Sequence, residues 1–275
     1  MEPIYIVLIS VAAALLVLFL IYVFLSATTR RRRARLKEFA KAKYAHRGLH
    51  NDTRAENSLS AFRAAVDAGY GIELDVRLSA DGEMVVFHDD TLERVTEGEG
   101  RVDSKTLSEL RTLHLSETAD TVPTFAEVLS LVDGRVPLLV EIKEDAMKYC
   151  VTEKCVEMLR EYKGEFIVES FNPLALWRFR RLMPDVPLGI LSHNYLKEKK
   201  YRKPMYALLH FFCLNFLSRP DFVAYDHRHF HTAPFAFQRR LFRPVLFAWT
   251  VRSLDDEKIA IKRGFDTVIF EKYEA

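Results

Sequence analysis

Between Ala45 and Asp90 the sequence collects His46-Arg47-Gly48, Glu56-Asn57, Glu73-Leu74-Asp75 and His88-Asp89-Asp90. Glu73 and Asp75 stand at i and i+2, and on a β-strand that spacing turns both side chains to one face. Two acid oxygens on one strand face can hold a hard divalent cation, Mg2+ or Ca2+. Two histidines nearby can supply a general acid and a general base. An arginine beside one of them suits phosphate, because its planar fork matches phosphate oxygens. A bland reading competes, since an acid pair on a strand is usually its solvated face. Here Ile72, Leu74 and Val76 take the alternate positions, so the acids share one face of a strand whose other face is apolar. In a barrel that shared face is the interior, where an acid must be paired or metal-bound.

The elements that must position these residues form an alternation of short apolar runs and amphipathic stretches, as in an α/β chain with a parallel sheet. Strands are predicted at 44–46, 71–76, 84–88, 136–142, 166–170, 187–191, 221–225, 245–251 and 267–270. Helices are predicted at 58–69, with Gly69 as the stop, and at 104–114, 124–132, 150–162, 173–182 and 254–263, with Thr124 a cap behind Pro123. Nine strands for the eight places of a barrel leave one short or outside. The link Ser79–Glu83 is too short for a crossover helix, so 84–88 returns as a hairpin, and a turn centred on Asp81-Gly82 sets Asp75 opposite His88. The apolar runs finish in His46-Arg47, Glu73–Asp75, His88-Asp89, Glu141–Lys143, Glu169-Ser170 and Trp249. Polar chemistry gathered at C-terminal strand ends is what a (β/α)8 barrel produces.

The blocks Ala45-His-Arg-Gly, Ala55-Glu-Asn-Ser, Ile72-Glu-Leu-Asp-Val, Asp81-Gly and Val86-Phe-His-Asp-Asp-Thr-Leu-Glu-Arg resemble the signature of the glycerophosphodiester phosphodiesterase family. The likeness continues at Pro123-Thr-Phe-Ala-Glu-Val-Leu, Leu139-Val-Glu-Ile-Lys, Glu169-Ser-Phe-Asn and Ala248-Trp-Thr-Val, and so covers roughly 44–271. The resemblance implies a (β/α)8 TIM barrel of the phospholipase-C-like phosphodiesterase type. It implies His46 and His88 as the acid–base pair and Glu73, Asp75 and Glu141 as ligands of a divalent cation, Mg2+ or Ca2+. It places Arg47 and Lys143 near the phosphate and Trp249 along the pocket for the substrate's alcohol, with Glu56 and Asn57 packed against the first strand's loop. Three local departures bear on the pocket rim: Ala55 where the family usually has Pro, Arg252 where Asn is common, and Asp266-Thr-Val-Ile-Phe-Glu271 in place of the more usual Asp-Gly-Ile-Ile-Thr-Asp.

Charge and hydropathy divide the chain. Ile4 to Leu25 is a run of 22 uncharged residues, about 33 Å as a helix and long enough to cross a bilayer. A cleaved signal would carry a basic stretch before a shorter apolar core. Here Glu2 lies in front and the basic run Arg30–Lys43 behind, which favours a retained anchor. The expected organisation is a transmembrane anchor at 1–29, a basic juxtamembrane linker at 30–43 able to lie against anionic lipid, and a catalytic barrel at 44–275. Positive charge marks the cytoplasmic side, so the catalytic domain is expected in the cytoplasm of a single-pass protein of the cell membrane. From Tyr44 onward 32 basic residues face 36 acidic ones, which argues against a nucleic-acid partner. Cys150, Cys155 and Cys213 have no Cys-x-x-Cys spacing and read as small buried thiols. Between Tyr195 and Pro220 a basic run, 197–203, precedes an apolar one, 206–217, read either as a barrel helix or as an interfacial helix.

The function expected from all this is metal-dependent hydrolysis of glycerophosphodiesters to an alcohol, such as choline or ethanolamine, and glycerol phosphate. A lysophospholipase D acting on lysolipids at the membrane is the rival within the same class. A non-catalytic lipid-binding module is the rival of another class.

Overall fold

The computed structural model describes residues 3–144, 149–198, 201 and 203–275. Eight parallel strands close on themselves. They are β1 Tyr44–Ala45, β2 Gly71–Leu78, β4 Leu138–Ile142, β5 Phe166–Ser170, β6 Leu188–Ser192, β7 Phe222–Asp226, β8 Val245–Val251 and β9 Thr267–Phe270. Each pairs with the next, and β1 meets both β2 and β9. The ninth strand, β3 Met84–Val86, runs antiparallel to β2 outside the ring.

Every strand is buried along nearly its whole length, as expected where helices cover the outside and side chains fill the inside. Outward residues such as Ile72, Leu74, Leu138, Val140 and Val168 pack with Phe62, Phe125 and Phe179 of the helices Leu59–Asp67, Phe125–Val132 and Pro173–Leu182. The inward residues of the lower half are apolar and include Tyr44, Leu139, Ile167, Phe222 and Phe247. Local chemistry sets the helix limits. Ser58 caps the first, accepting from the Ala61 N–H, and Thr124 forms a reciprocal box with Glu127 at the start of the second.

Several expectations are revised. The hairpin register is one residue off: Val76 lies opposite Val86, and the Phe87 N–H donates to the Asp75 carbonyl at 3.0 Å. The turn is centred on Asp81, with Gly82 left-handed at φ 79° and the Ser79 N–H bonded to the Glu83 carbonyl. That is a three-residue loop ending in a left-handed residue. The helix expected over 104–114 is reduced to one turn, Leu107–Leu110, because Leu110 turns into a small cluster with Val85, Phe87 and Leu92. The apolar run 206–217 is broken into Pro204–His210 and Asn215–Ser218, with Phe212 left-handed and buried between them. Lys199, Lys200 and Arg202 of the basic run lie outside the described residues, as do Met1 and Glu2 at the N-terminus.

The apolar N-terminal run is one helix, α1 Pro3–Ser26, long and apolar enough to cross a membrane. The segment after it is folded onto the barrel. Its helix α2, Arg33–Phe39, buries Leu36 and Phe39 against Tyr44, Leu139, Ile167 and Phe247, closing the bottom of the ring. Its charges are also engaged. Arg32 pairs with Asp221 at 3.0 Å, Arg35 with Glu165 at 3.1 Å, Lys43 with Glu257 at 2.7 Å, and Lys37 with Asp266. Leu36 and Phe39 are fully or nearly fully buried in the same cluster as the barrel's lower apolar layer, so α2 is part of its core. Leu36→Ala or Phe39→Ala is expected to cost about 2–5 kcal/mol, read as a lower unfolding midpoint of the full chain in detergent. Lys41→Ala, an exposed change on the same segment, is expected to leave the midpoint in place. Equal midpoints for all three would show that α2 only rests on the barrel.

Candidate active site

The upper half of the barrel interior is polar because the inward positions one step above the apolar layer carry acids. These are Asp75 on β2 and Glu141 on β4, level in register, with Glu73 one step below Asp75 and level with Leu139. The next strand continues the row, since Glu141 is level with Glu169 on β5. Oxygens of Glu73, Asp75 and Glu141 lie within 4.8 Å of one another, all buried. Burial and the neighbouring Asp75 and Glu141 charges push Glu73 well above the usual carboxylate range. Glu141 is raised by burial and by Asp75. Burial also works against the Asp75 charge, but Lys143, His88 and Arg47 outweigh it and hold Asp75 well below that range. Lys143 reaches Glu141 at 2.6 Å and Asp75 at 3.0 Å.

The loop after β1 supplies the second layer. Arg47 and Gly48 are both left-handed, at φ 57° and 81°. At Gly48 a Cβ would stand 2.9 Å from the backbone of Ala61, so only glycine fits against the following helix. This turn aims the Arg47 N–H at Glu73 Oε2, 2.9 Å away, and carries the guanidinium to Glu56 at 2.7 Å and Asp75 at 3.6 Å. Asn57, buried, donates to Asp75 Oδ2 at 2.8 Å. Arg94 closes the outer side by donating to both Glu56 oxygens. Each histidine has a carboxylate behind it. His46 Nδ1 lies 2.7 Å from Glu271 Oε2, and His88 Nδ1 lies 2.6 Å from Asp89 Oδ1. Burial lowers the His46 pKa to about 4, against the opposing pull of Glu271. The Glu271 carboxyl is held far below its ordinary value, since hydrogen bonds from His46, His50 and Arg252 overcome its burial. His46 is therefore expected as an Nδ1–H donor to Glu271 with Nε2 left over, and that Nε2 stands 4.0 Å from Glu73.

A cavity of about 410 Å³ opens over this cluster. Of the expected site residues, His46, Arg47, Glu73, His88, Glu141 and Trp249 line it. Asp75 and Lys143 do not, but each touches a residue that does. The far wall is aromatic: Phe171 meets Trp249 edge-on at 5.5 Å, with His193 at 6.0 Å from Phe171. The broader surface hollow of about 640 Å³ between 93–97 and 114–118 is lined by the exposed Glu97–His114 pair and by Glu93, Arg94 and Glu117. Sequence reasoning gave no role to Glu169, Glu271, Asp89 or His193. Glu169 is fully buried, with Oε2 unpartnered, and burial together with Glu73 and Glu141 drives it well above the carboxylate range. Its signal was present as a strand-end acid, but its level beside Glu141 appears only once β4 and β5 are paired.

The donor set fits a hard divalent cation. It offers only carboxylate oxygens, and they are closer together than their charges allow without a counter-charge. One carboxylate partner, Asp75, is already tied to Asn57, Arg47 and Lys143, which orients it toward the others.

Comparison with known proteins agrees with this geometry. The model of the glycerophosphoryl diester phosphodiesterase family matches residues 46–275. A glycerophosphodiester phosphodiesterase of Caldanaerobacter subterraneus is 32% identical over 244 residues, 84% of this chain and 93% of that protein. A glycerophosphodiester phosphodiesterase from Thermotoga maritima superposes with a TM-score of 0.64 at 27% identity, over 83% of this chain and 94% of that one. An Oleispira antarctica phosphodiesterase, solved with the product sn-glycerol-3-phosphate, gives a TM-score of 0.69 at 24% identity, over 85% and 94% of the two chains.

Glu56 offers a test of the charge clamp at the rim. Burial alone would raise its pKa, but Arg94 and Arg47 hold it at about 2. A depressed folded value gives stability that is present above the unfolded carboxyl value and lost as pH falls toward the folded one. Glu56→Gln is therefore expected to lower the melting temperature near neutral pH. The gap should close between about pH 5 and pH 2. A gap that stays constant over that window would show that the clamp is not electrostatic.

Proposed function

We propose that this chain, which belongs to the glycerophosphoryl diester phosphodiesterase family, hydrolyses glycerophosphodiesters to an alcohol and glycerol phosphate. The observation that carries the reading is the convergence of Glu73, Asp75 and Glu141 at the mouth of the barrel, with two carboxylate-backed histidines facing one cavity. The substrate class comes from the Caldanaerobacter relative, which carries that activity in its name. Glu73, Asp75 and Glu141 would hold Mg2+ or Ca2+. When bound, the cation supplies Lewis acidity, drawing charge from a phosphate oxygen.

The chain's own residues do the rest. Arg47, braced by Glu56, and Lys143, braced by Glu141, set positive charge beside a diester that carries one negative charge. Glu271 holds His46 so that the neutral ring turns Nε2 inward, where it accepts a proton from the attacking hydroxyl. A new P–O bond forms, and the P–O bond to the alcohol breaks. His88, held by Asp89 on Nδ1, returns a proton to the leaving oxygen from Nε2. The attacking hydroxyl is water, or a neighbouring glycerol hydroxyl whose cyclic phosphate water then opens. Trp249 and Phe171 form an apolar wall against which the alcohol packs.

In this reading α1 is a retained single-pass anchor, and the basic residues behind it keep the barrel on the cytoplasmic side. One observation favours lysolipids as a second substrate class. Glu198 and Tyr201 of the cavity wall also border a hollow lined by Leu196, Pro204 and Ala207, beside an exposed apolar helix face.

Two outcomes are expected. Purified full-length protein loses activity in excess EDTA and regains it with Mg2+ or Ca2+, and Glu73→Ala or Asp75→Ala stays folded but inactive. Full turnover in EDTA would remove the cation from the mechanism, and inactivity on every glycerophosphodiester and lysolipid would favour a binding module. His46→Ala and His88→Ala each lower kcat by about 10²-fold or more. The double variant loses less than the product of the two, because the groups act as a unit. A near-native rate in either single variant would take that residue out of the reaction.

A further inference from the structure

Among the described residues outside α1, nine large apolar side chains are exposed, and their distribution is uneven. Leu196, Met205, Leu208, Phe211, Phe216 and Leu241 all lie on the two connections that follow β6 and β7. Met205, Leu208 and Phe211 are spaced by three, so they share one face of the helix Pro204–His210 and its end. The strip they form is continuous with α1. The Phe216 ring is 6.4 Å from Phe24, and Phe237 is 4.9 Å from Tyr22. Arg219 lies over Phe24 at 4.5 Å and donates to its carbonyl at 2.7 Å. At its other end the strip reaches Leu196 and Pro204, which share a hollow with Glu198 and Tyr201 of the active-site wall.

The charge along these connections is mainly positive. From His193 to Pro244 there are ten Lys and Arg against three acids, Glu198, Asp221 and Asp226. Asp221 and Asp226 are buried and paired, Asp221 with Arg32 and Arg180, Asp226 with Arg228. The remainder of 44–275 has the opposite balance, 22 basic residues against 33 acidic. Lys203, Arg240 and Arg243 are exposed at the strip's borders. Of the eight basic residues of 30–43, by contrast, Arg32, Arg35, Lys37 and Lys43 are taken up by barrel acids. The junction has little slack, because the Ser26 carbonyl accepts from both Asn215 at 3.1 Å and Gln238 at 2.8 Å.

We propose that this face seats on an anionic bilayer, with Met205, Leu208, Phe211 and Phe216 in the headgroup–acyl boundary and Lys203, Arg240 and Arg243 at the lipid phosphates, so that the active-site cavity opens at the lipid surface. The proposal rests on the reading of α1 as a span. An apolar strip edged mainly by cations and running into a membrane helix matches the chemistry of that boundary, and the exposed acid Glu198 stands at its far end, on the active-site hollow. The other exposed apolar side chains, Leu254, Ile259 and Ile261, sit on a helix that opens with Asp255, Asp256 and Glu257. They serve as the control.

The test uses the full chain in liposomes, in a Cys150→Ser/Cys213→Ser background, Cys155 being fully buried. A fluorophore is placed at Leu208→Cys, at Phe211→Cys as a second site, and at Ile261→Cys. Lipids with a doxyl group near the headgroup are the quencher, in vesicles of phosphatidylcholine alone or with phosphatidylglycerol. Quenching at 208 and 211 is expected to exceed that at 261 several-fold, to rise with phosphatidylglycerol, and to fall in Arg240→Glu/Arg243→Glu. Equal quenching at all three sites, in protein that survives an alkaline carbonate wash, overturns the proposal while leaving the anchor intact. Loss of the protein in that wash overturns the anchor itself, and the proposal with it. Labels at 208 that escape quenching and show excimer emission on pyrene substitution assign the face to a second copy and also overturn it.

Discussion

Mutual repulsion among buried carboxylates is the constraint to which the rest of this structure answers. Three acids with oxygens within 4.8 Å, and a fourth on the adjacent strand, are placed where water cannot screen them. Such a cluster exists only if counter-charge surrounds it. The chain supplies part of that charge through Arg47 and Lys143, and the carboxylate donor set fits a hard cation that would supply the rest. Replacing an acid would relax the fold locally and remove the ligand at once.

That cluster can be held only because the strands below it are rigid. The lower interior is filled by Tyr44, Leu139, Ile167, Phe222 and Phe247, and α2 closes it from beneath. A packed apolar layer resists the strand movements by which crowded charges would otherwise separate. The division along each strand is therefore functional: apolar positions at the N-terminal end fix the register, and polar positions at the C-terminal end use it. Glu73 illustrates the point. It is level with Leu139 of the apolar layer, yet its carboxylate accepts from the Arg47 backbone at the mouth.

Much of this was legible in the sequence, for identifiable reasons. Period-two acids on an otherwise apolar strand, a glycine after His46-Arg47, and polar residues closing successive apolar runs each have one natural structural meaning. The ring, the outside place of one strand and the gathering of His46, Glu73, Asp75, His88 and Glu141 follow from them. What could not be read depends on pairing between distant segments. Glu271 stands behind His46 across 225 residues of chain, and Glu169 becomes an acid of the cluster only when its strand is set beside β4. The hairpin register slipped by one because loop length was read without the left-handed Gly82. The segment 30–43 looked like a linker because its charges hide two apolar residues, Leu36 and Phe39, at helical spacing.

That last misreading changes how the anchor is understood. A flexible basic tether would let the barrel roam above the membrane, and its charges would be free for lipid. Here four of those charges face barrel acids, the apolar side chains pack under the ring, and Ser26 is held by two amide side chains. α1 is thus joined to the catalytic fold with little freedom between them. With α1 as the proposed span, the orientation of the cavity relative to the bilayer would be a property of the folded chain rather than of diffusion. Any lipid contact made by the connections after β6 and β7 then acts on a domain already held in place, and its ordering cost is small.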